Sequence, residues 1–181
     1  MSRIRDIDTY LFGAGDRLLF DANVWLYIYR VNDPTDHRSE VYSRAFHRVR
    51  KAKSKVFIDA VIASEIINRM ARLEHRRAQE TDRTVTDFKQ FRGNPAFRQI
   101  AEGIAADARR ILSQCERCDS GFPELDVAKV LTAYEQGGND FNDLLVSELC
   151  RKESFLFVTH DQDFAATDAT VLTANRALLR T

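Results

Sequence analysis

Short apolar, β-prone runs alternating with long helical patterns constrain this chain more than anything else in it. RLLF (17–20), VFIDAVI (56–62) and FLFVT (155–159) carry the strand signal, and ATVLT (169–173) is a weaker fourth run. Residues 37–53, 64–80, 124–137 and 141–153 repeat apolar side chains at helical spacing. Parallel strands need a crossover connection, usually a helix, so this alternation predicts an α/β fold. The expected form is a mainly parallel sheet of four to five strands flanked by helices in three layers. A leading helix is expected at about 4–12, set off from the first strand by GDR (15–17). The segment 81–122 carries no strand signal, is interrupted by RGNP (92–95) and ends at DSGFP (119–123). It reads as a helical insertion, with 95–117 as its long helix, inside one domain spanning 1–181.

The three strong apolar runs each meet an acid where the strand should end or the next helix begin, and a further pair opens the helical pattern at 141–153. Asp21 follows LLF; Glu65 lies in VIASEIIN; Asp140 and Asp143 lie in GGNDFNDLL; Asp161 and Asp163 lie in FVTHDQDF. Taken singly, each has a structural alternative. Asp21 or Asn23 suits a helix cap. Glu65 suits the first turn of a helix with Ser64 as its N-cap, pairing with Arg69. Asp140 suits an N-cap with Asp143 imitating a capping box, and Asp-rich turns are ordinary. None of these explains the recurrence at successive junctions. In a parallel sheet the carboxyl ends of the strands gather on one edge, where ligands bind. Acids converging there without a Lys among them call for a divalent cation. Carboxylate oxygens suit Mg²⁺ or Mn²⁺, whereas zinc would favour imidazole or thiolate.

Composition limits the rest. The 181 residues are 44% hydrophobic and 30% charged, with zero formal net charge, which suits an ordinary globular domain. Zero net charge leaves nucleic acid open as a partner, since acids gathered in a metal site mask bases elsewhere. Residues 44–55 (RAFHRVRKAKSK) hold six Lys/Arg and no acid, and 69–77 (RMARLEHRR) is nearly as basic. Arg48, Arg50 and Lys51 in the first run, with Arg69, Arg72 and Arg76 in the second, are the candidate RNA contacts, against the alternative of solvated helix faces. MSRIRDIDTY lacks a signal-peptide core and no stretch is long enough to span a bilayer, so a cytoplasmic location is expected. Cys115, Cys118 and Cys150 are too few for a disulfide framework. Cys115 and Cys118 have C-x-x-C spacing but no second pair, and a structural role is expected where they end a long helix. His160 reads as incidental. Trp25, Tyr27 and Tyr29 read as core or dimer contacts.

Taken in order, these motifs resemble the PIN domain, a compact metal-dependent nuclease fold found in bacterial toxin ribonucleases and RNA-processing nucleases. The matching residues are Asp21 with Asn23 in FDANVWL, Glu65 in ASEIIN, Asp143 in DFNDLLVSE and Asp161 in VTHDQDF. The resemblance covers roughly 17–80 and 124–175. It implies a carboxylate pocket holding Mg²⁺ or Mn²⁺ and endonucleolytic cleavage of RNA. Asp21, Glu65, Asp143 and Asp161 would be the catalytic, metal-holding set, Asp140 and Asp163 second-tier ligands, and Asn23 and Thr159 the supports. The partners implied are RNA, an antitoxin protein if the chain is the toxin of a toxin–antitoxin pair, and a second copy of the chain. The chain departs from small toxin members in its insertion and in about sixteen residues before the first strand. A non-catalytic PIN-like module binding RNA or protein is the alternative function. A phosphatase or receiver domain would need a second Asp or a Lys near Asp21, where the chain reads Ala-Asn-Val.

Overall fold

The computed structural model describes residues 3–29, 31 and 35–180. Its strands are β1 (Ile4–Asp6), β2 (Arg17–Phe20), β3 (Lys55–Ile58), β4 (Glu116–Arg117), β5 (Leu156–Val158) and β6 (Thr170–Thr173). They form one sheet in the order β1-β6-β5-β2-β3-β4, and every pairing is parallel. The α-helices of the described residues are α1 (Ala22–Ile28), α2 (His37–Lys51), α3 (Ala60–Thr81), α4 (Phe88–Gly93), α5 (Phe97–Leu112), α6 (Val127–Glu135) and α7 (Phe141–Glu153).

The apolar runs become central strands because both of their faces are covered. Leu18, Leu19, Phe157, Val158, Val171 and Leu172 are all buried, as expected for a parallel sheet between helical layers. Ala22 and Val24 through Tyr27 are buried too, so α1 is an interior helix, apolar on nearly every side. The helices α2, α3 and α7 present stripes instead: Tyr42 and Val49, Ile62, Ile66 and Met70, and Leu149 with Cys150.

The strand order places the site. From β2 the chain moves outward to β3 and β4, then returns to β5 on the other side of β2 and continues to β6. The β2–β5 boundary is therefore the topological switch point, where the connections leave a crevice beyond the carboxyl ends. Asp21 N–H donates to Val158 O at 2.9 Å across that boundary, and Thr159 follows β5 directly.

Several sequence expectations are corrected. The leading helix at 4–12 is replaced by β1, which pairs with β6. Ile7 N–H donates to Thr173 O and Val171 N–H to Arg3 O, each bond spanning most of the chain. Local pattern cannot report such pairing. The 81–122 segment is not wholly helical: α5 stops at Leu112, and Glu116–Arg117 pair with Phe57–Ile58 as an edge strand. Both β4 side chains are exposed and charged, which suits an edge and hides the strand from apolar pattern. The sheet thus has six strands instead of four or five. Finally, β3 ends at Ile58 and α3 begins at Ala60, four residues ahead of the expected 64. Asp59 is its N-cap, accepting from Ile62 N–H at 2.9 Å.

Candidate active site at the carboxyl edge of the sheet

Asp21 closes β2 and sits at the N-cap position of α1, yet its side chain makes no cap hydrogen bond. It accepts instead from Thr159 Oγ1 at 2.6 Å. Thr159 is fully buried, and its Oγ1 also accepts from Asp161 N–H at 3.0 Å. One hydroxyl thus ties the carboxylate after β2 to the backbone after β5. Burial pushes the Asp21 carboxyl up to about 6, against the Thr159 hydrogen bond, and Glu65 raises it further. Its side chain makes no cap hydrogen bond and is committed to Thr159, so the capping alternative fails at this position.

Asp143 lies in the first turn of α7. Burial, followed by the charges of Asp140, Asp21, Glu65 and Asp161, pushes its carboxyl up to about 7. These causes show which acids the fold has gathered. Five of the six candidates, from four separate elements, gather at the switch point, four of them acting on Asp143. Asp163 stands apart on the exposed 3-10 turn Gln162–Ala166, with its carbonyl oxygen accepting from Asn139 Nδ2 at 2.8 Å.

The acids differ in what else they do. Asp140 caps α7, accepting from Asn142 N–H at 2.7 Å, and Asp161 caps the 3-10 turn, accepting from Asp163 N–H at 3.1 Å. The structural alternative for these two is real, although both remain inside the acidic neighbourhood. Glu65 does not open its helix, and Ser64 is not its cap, because α3 begins at Ala60. The Glu65 carboxylate pairs with Arg69 Nε at 2.7 Å. Asn23 Oδ1 is buried and has no hydrogen-bond partner among the described residues. An orphaned buried acceptor two residues from Asp21 is the kind of exception that calls for an explanation.

The donor set fits a hard divalent cation. It is all oxygen, it has no Lys, and two of its carboxyls are held above their ordinary range by burial and by one another. Among the described residues, no three His, Cys, Asp or Glu side chains converge tightly enough to form a ready coordination shell. The acids share a field without sharing a centre.

A cleft of about 640 Å³ opens beside the acids, lined by Ser64, Glu65, Asn68, Arg69, Arg72 and Asp140 among others. Arg69 and Arg72 therefore lie where the second basic run was expected to meet phosphate. The first run does not. Arg48 donates to Ile7 O at 3.0 Å and Asp8 O at 2.9 Å, and also to Tyr10 O, clamping the segment after β1. Arg50 and Lys51 end α2 just before β3, at the amino edge of the sheet. A four-residue strand, about 13 Å long, separates that edge from the acids. Helical spacing alone could not tell which end of the sheet these charges would reach.

His160 is not incidental to the packing: Nδ1 is 2.9 Å from Tyr42 Oη, and the ring meets Tyr27 and Tyr42 edge-on. Trp25 and Tyr27 are core residues. Cys115 and Cys118 flank β4 instead of ending a helix. Burial raises their thiols to about 12 and about 11, so neither is a ready thiolate.

The fold and the pocket together define an α/β protein with an acidic site at its topological switch point. A protein-family model described as the PIN domain matches residues 18–170. The chain belongs to the PIN domain family. No curated protein matches it by sequence. Among solved structures it is similar to VapBC2 from Rickettsia felis bound to a DNA fragment from their promoter, with 15% identity and a TM-score of 0.55 over 87% of this chain and 98% of that one. It is also similar to PAE2754 from Pyrobaculum aerophilum, with 13% identity and a TM-score of 0.51 over 97% of this chain and 95% of that one. At these identities the two structures speak to the fold. Among the described residues no helix is long and apolar enough to cross a membrane.

Proposed function

We propose that this protein is a metal-dependent endoribonuclease whose site is the acidic neighbourhood around Asp21 and Asp143. The observation that carries the reading is the elevated carboxyl of Asp143, held up by burial and by four other acids. Crowding of this kind disfavours the ionised, metal-free site and favours any state in which a cation offsets the charge. Asp21, Glu65, Asp143 and Asp161 would hold Mg²⁺ or Mn²⁺, with Asp140 contributing charge from the cap of α7. Asp163, on the exposed turn, is the weakest of the proposed ligands. When bound, the cation supplies Lewis-acid polarisation of a phosphodiester and activation of water for hydrolysis.

The chain's own groups do the positioning. Thr159 Oγ1 holds the Asp21 carboxylate in one orientation relative to the backbone of Asp161. Arg69 is paired with Glu65 at the lip of the cleft, placed to exchange that partner for a phosphate as substrate enters. Arg72, further along the same cleft, would take the next phosphate. The fold shared with the Rickettsia felis VapBC2 structure supports a role as the toxin of a toxin–antitoxin pair, with an antitoxin protein as partner.

A panel of single-stranded and structured RNAs incubated with Mg²⁺ or Mn²⁺ tests the reading. Parent protein should cut internally, EDTA should abolish cutting, and Asp21→Asn should lose the chemical step by orders of magnitude while still binding RNA. Metal-independent cleavage, or equal cleavage by Asp21→Asn, would overturn it. The non-catalytic alternative draws on the absence of a ready coordination shell among the described residues. Tight RNA binding without cleavage under any divalent cation would favour it.

A further inference from the structure

The segment between α3 and α5 has no part in the site described so far, but it carries an arrangement of charge that is hard to account for structurally. Phe88, the first residue of α4, has two arginines on its ring. The guanidinium carbon of Arg72 lies 4.9 Å from the ring centroid and that of Arg92 also lies 4.9 Å from it. Both being 4.9 Å from one point, the two cations are at most about 10 Å apart. Both arginines are exposed, and neither has an ion-pair partner among the described residues. Lys89 is exposed on the same short helix. Of the acids between them, Glu74 pairs with Arg77, Asp82 bonds Thr84, Asp87 caps α4 by accepting from Gln90 N–H at 2.7 Å, and the exposed Glu80 pairs with neither arginine.

Stacking on an aromatic face holds a guanidinium flat and leaves its N–H edge free for a phosphate. The platform is itself fixed. His75 of α3 meets Phe88 at 5.4 Å and Phe91 at 5.2 Å, and Phe91 meets Phe97 of α5 at 5.2 Å. Arg72 belongs to both places at once, because it lines the cleft beside Glu65 and Asp140 and also stacks on Phe88. The cationic surface therefore runs without a break from the lip of the acidic site onto α4.

We propose that α4 is a second anchoring point for the substrate strand, in which Arg92, held on the Phe88 ring that Arg72 also meets, binds a phosphate of single-stranded RNA beyond those at the cleavage site. The proposal rests on RNA being the substrate of the carboxylate site. It gives the segment between α3 and α5 a function in substrate length: strands that reach Arg92 bind more tightly than strands that end at Arg72.

The test is fluorescence anisotropy with labelled oligouridylates of three and twelve nucleotides, in EDTA so that the RNA stays intact, across a salt series. Parent, Arg92→Gln, Arg72→Gln/Arg92→Gln, Phe88→Leu and Arg50→Gln are compared, with melting temperature as the folding control. Arg92→Gln should weaken the twelve-mer several-fold and leave the three-mer unchanged. The double variant should lower the slope of log affinity against log salt by about 1.4, the value for two single-strand phosphate contacts. Phe88→Leu should weaken the twelve-mer with the net charge intact, an effect that loss of charge alone cannot mimic. Arg50→Gln, at the amino edge, should match the parent. Equal affinity of parent and Arg92→Gln for the twelve-mer, equal loss on both lengths, or no binding of the twelve-mer by the parent would overturn the proposal. Because binding is read without metal, absence of cleavage in the earlier assay overturns the nuclease reading alone. Unchanged binding by Arg92→Gln overturns the α4 anchor alone.

Discussion

The two edges of the sheet use charge in opposite ways. At the amino edge several charges are matched. Arg17 donates to Glu153 O at 2.8 Å and to Glu153 Oε2 at 3.1 Å, and lies over Phe57 and Phe155. Lys55 pairs with Glu116 at 3.2 Å, and Arg48 serves the carbonyls after β1. At the carboxyl edge Asp21, Asp140, Asp143 and Asp161 crowd together, and Arg69 is the nearest cation acting on Asp21. Matched charge supports the fold, whereas unmatched like charge costs stability and persists where something outside the chain completes it. The difference is the contrast that the proposed metal site predicts.

Metal should expose that contrast most strongly. In calorimetric titrations with Mn²⁺, the parent should bind and release protons, because Asp143 and Asp21 hold protons near neutral pH that the cation displaces. Measurement in buffers of different ionisation enthalpy reports the release. Asp143→Asn should lose most of the affinity, and binding equal to the parent would show that the acids at the switch point are not the site.

A smaller effect is expected at the other edge. Arg48→Gln leaves carbonyls of Ile7 and Asp8 without their donor, which should cost about 1–3 kcal/mol. At about 2–4 °C per kcal/mol for a chain of this size, the loss is readable as a melting shift. Metal binding should be unchanged, and a variant that also lost Mn²⁺ would blur the division between the two edges.

A comparable effect is expected in the pH dependence without metal. Asp21 and Asp143 have carboxyls raised from 3.8 to about 6 and about 7, so the folded state holds protons that the unfolded chain has released. Their contribution to stability should therefore be greatest at low pH and decline as pH rises from about 4 through about 7. Melting temperature in EDTA should rise between pH 8 and pH 5.5, and Asp143→Asn should flatten that rise. A steeper rise in the variant would assign the dependence to other groups.

Much of this was legible in the sequence, for identifiable reasons. The strands β2, β3, β5 and β6 were read because their side chains are buried on both faces, which leaves an unbroken apolar run. Asp21, Asp161 and Asp163 were read because they follow such runs, and Glu65, Asp140 and Asp143 because they fall near the start of helical patterns. Both β1 and β4 escaped because their residues are polar or half-exposed and are strands only through their partners. The start of α3 was misplaced because Ala60, Val61 and Ile62 continue the apolar run of β3 into the helix, and only the Asp59 cap divides them. Arg48 was misassigned because its partners are backbone carbonyls about forty positions away, which no spacing rule reveals. The Phe88 stack escaped for the same reason: an aromatic between two arginines is ordinary composition until α4 folds against α3.

The hydrogen bond from Thr159 to Asp21 spans 138 positions of sequence. Everything through β5 must be synthesised before the first carboxylate of the site meets the hydroxyl that holds it. Loop closure of that span is slow compared with the folding of any single helix. A growing chain on the ribosome therefore carries Asp21, Glu65 and Asp143 as separate, unassembled acids until β5 emerges. If the site cuts RNA, synthesis itself delays the activity, sparing the message and the ribosome that are making the protein.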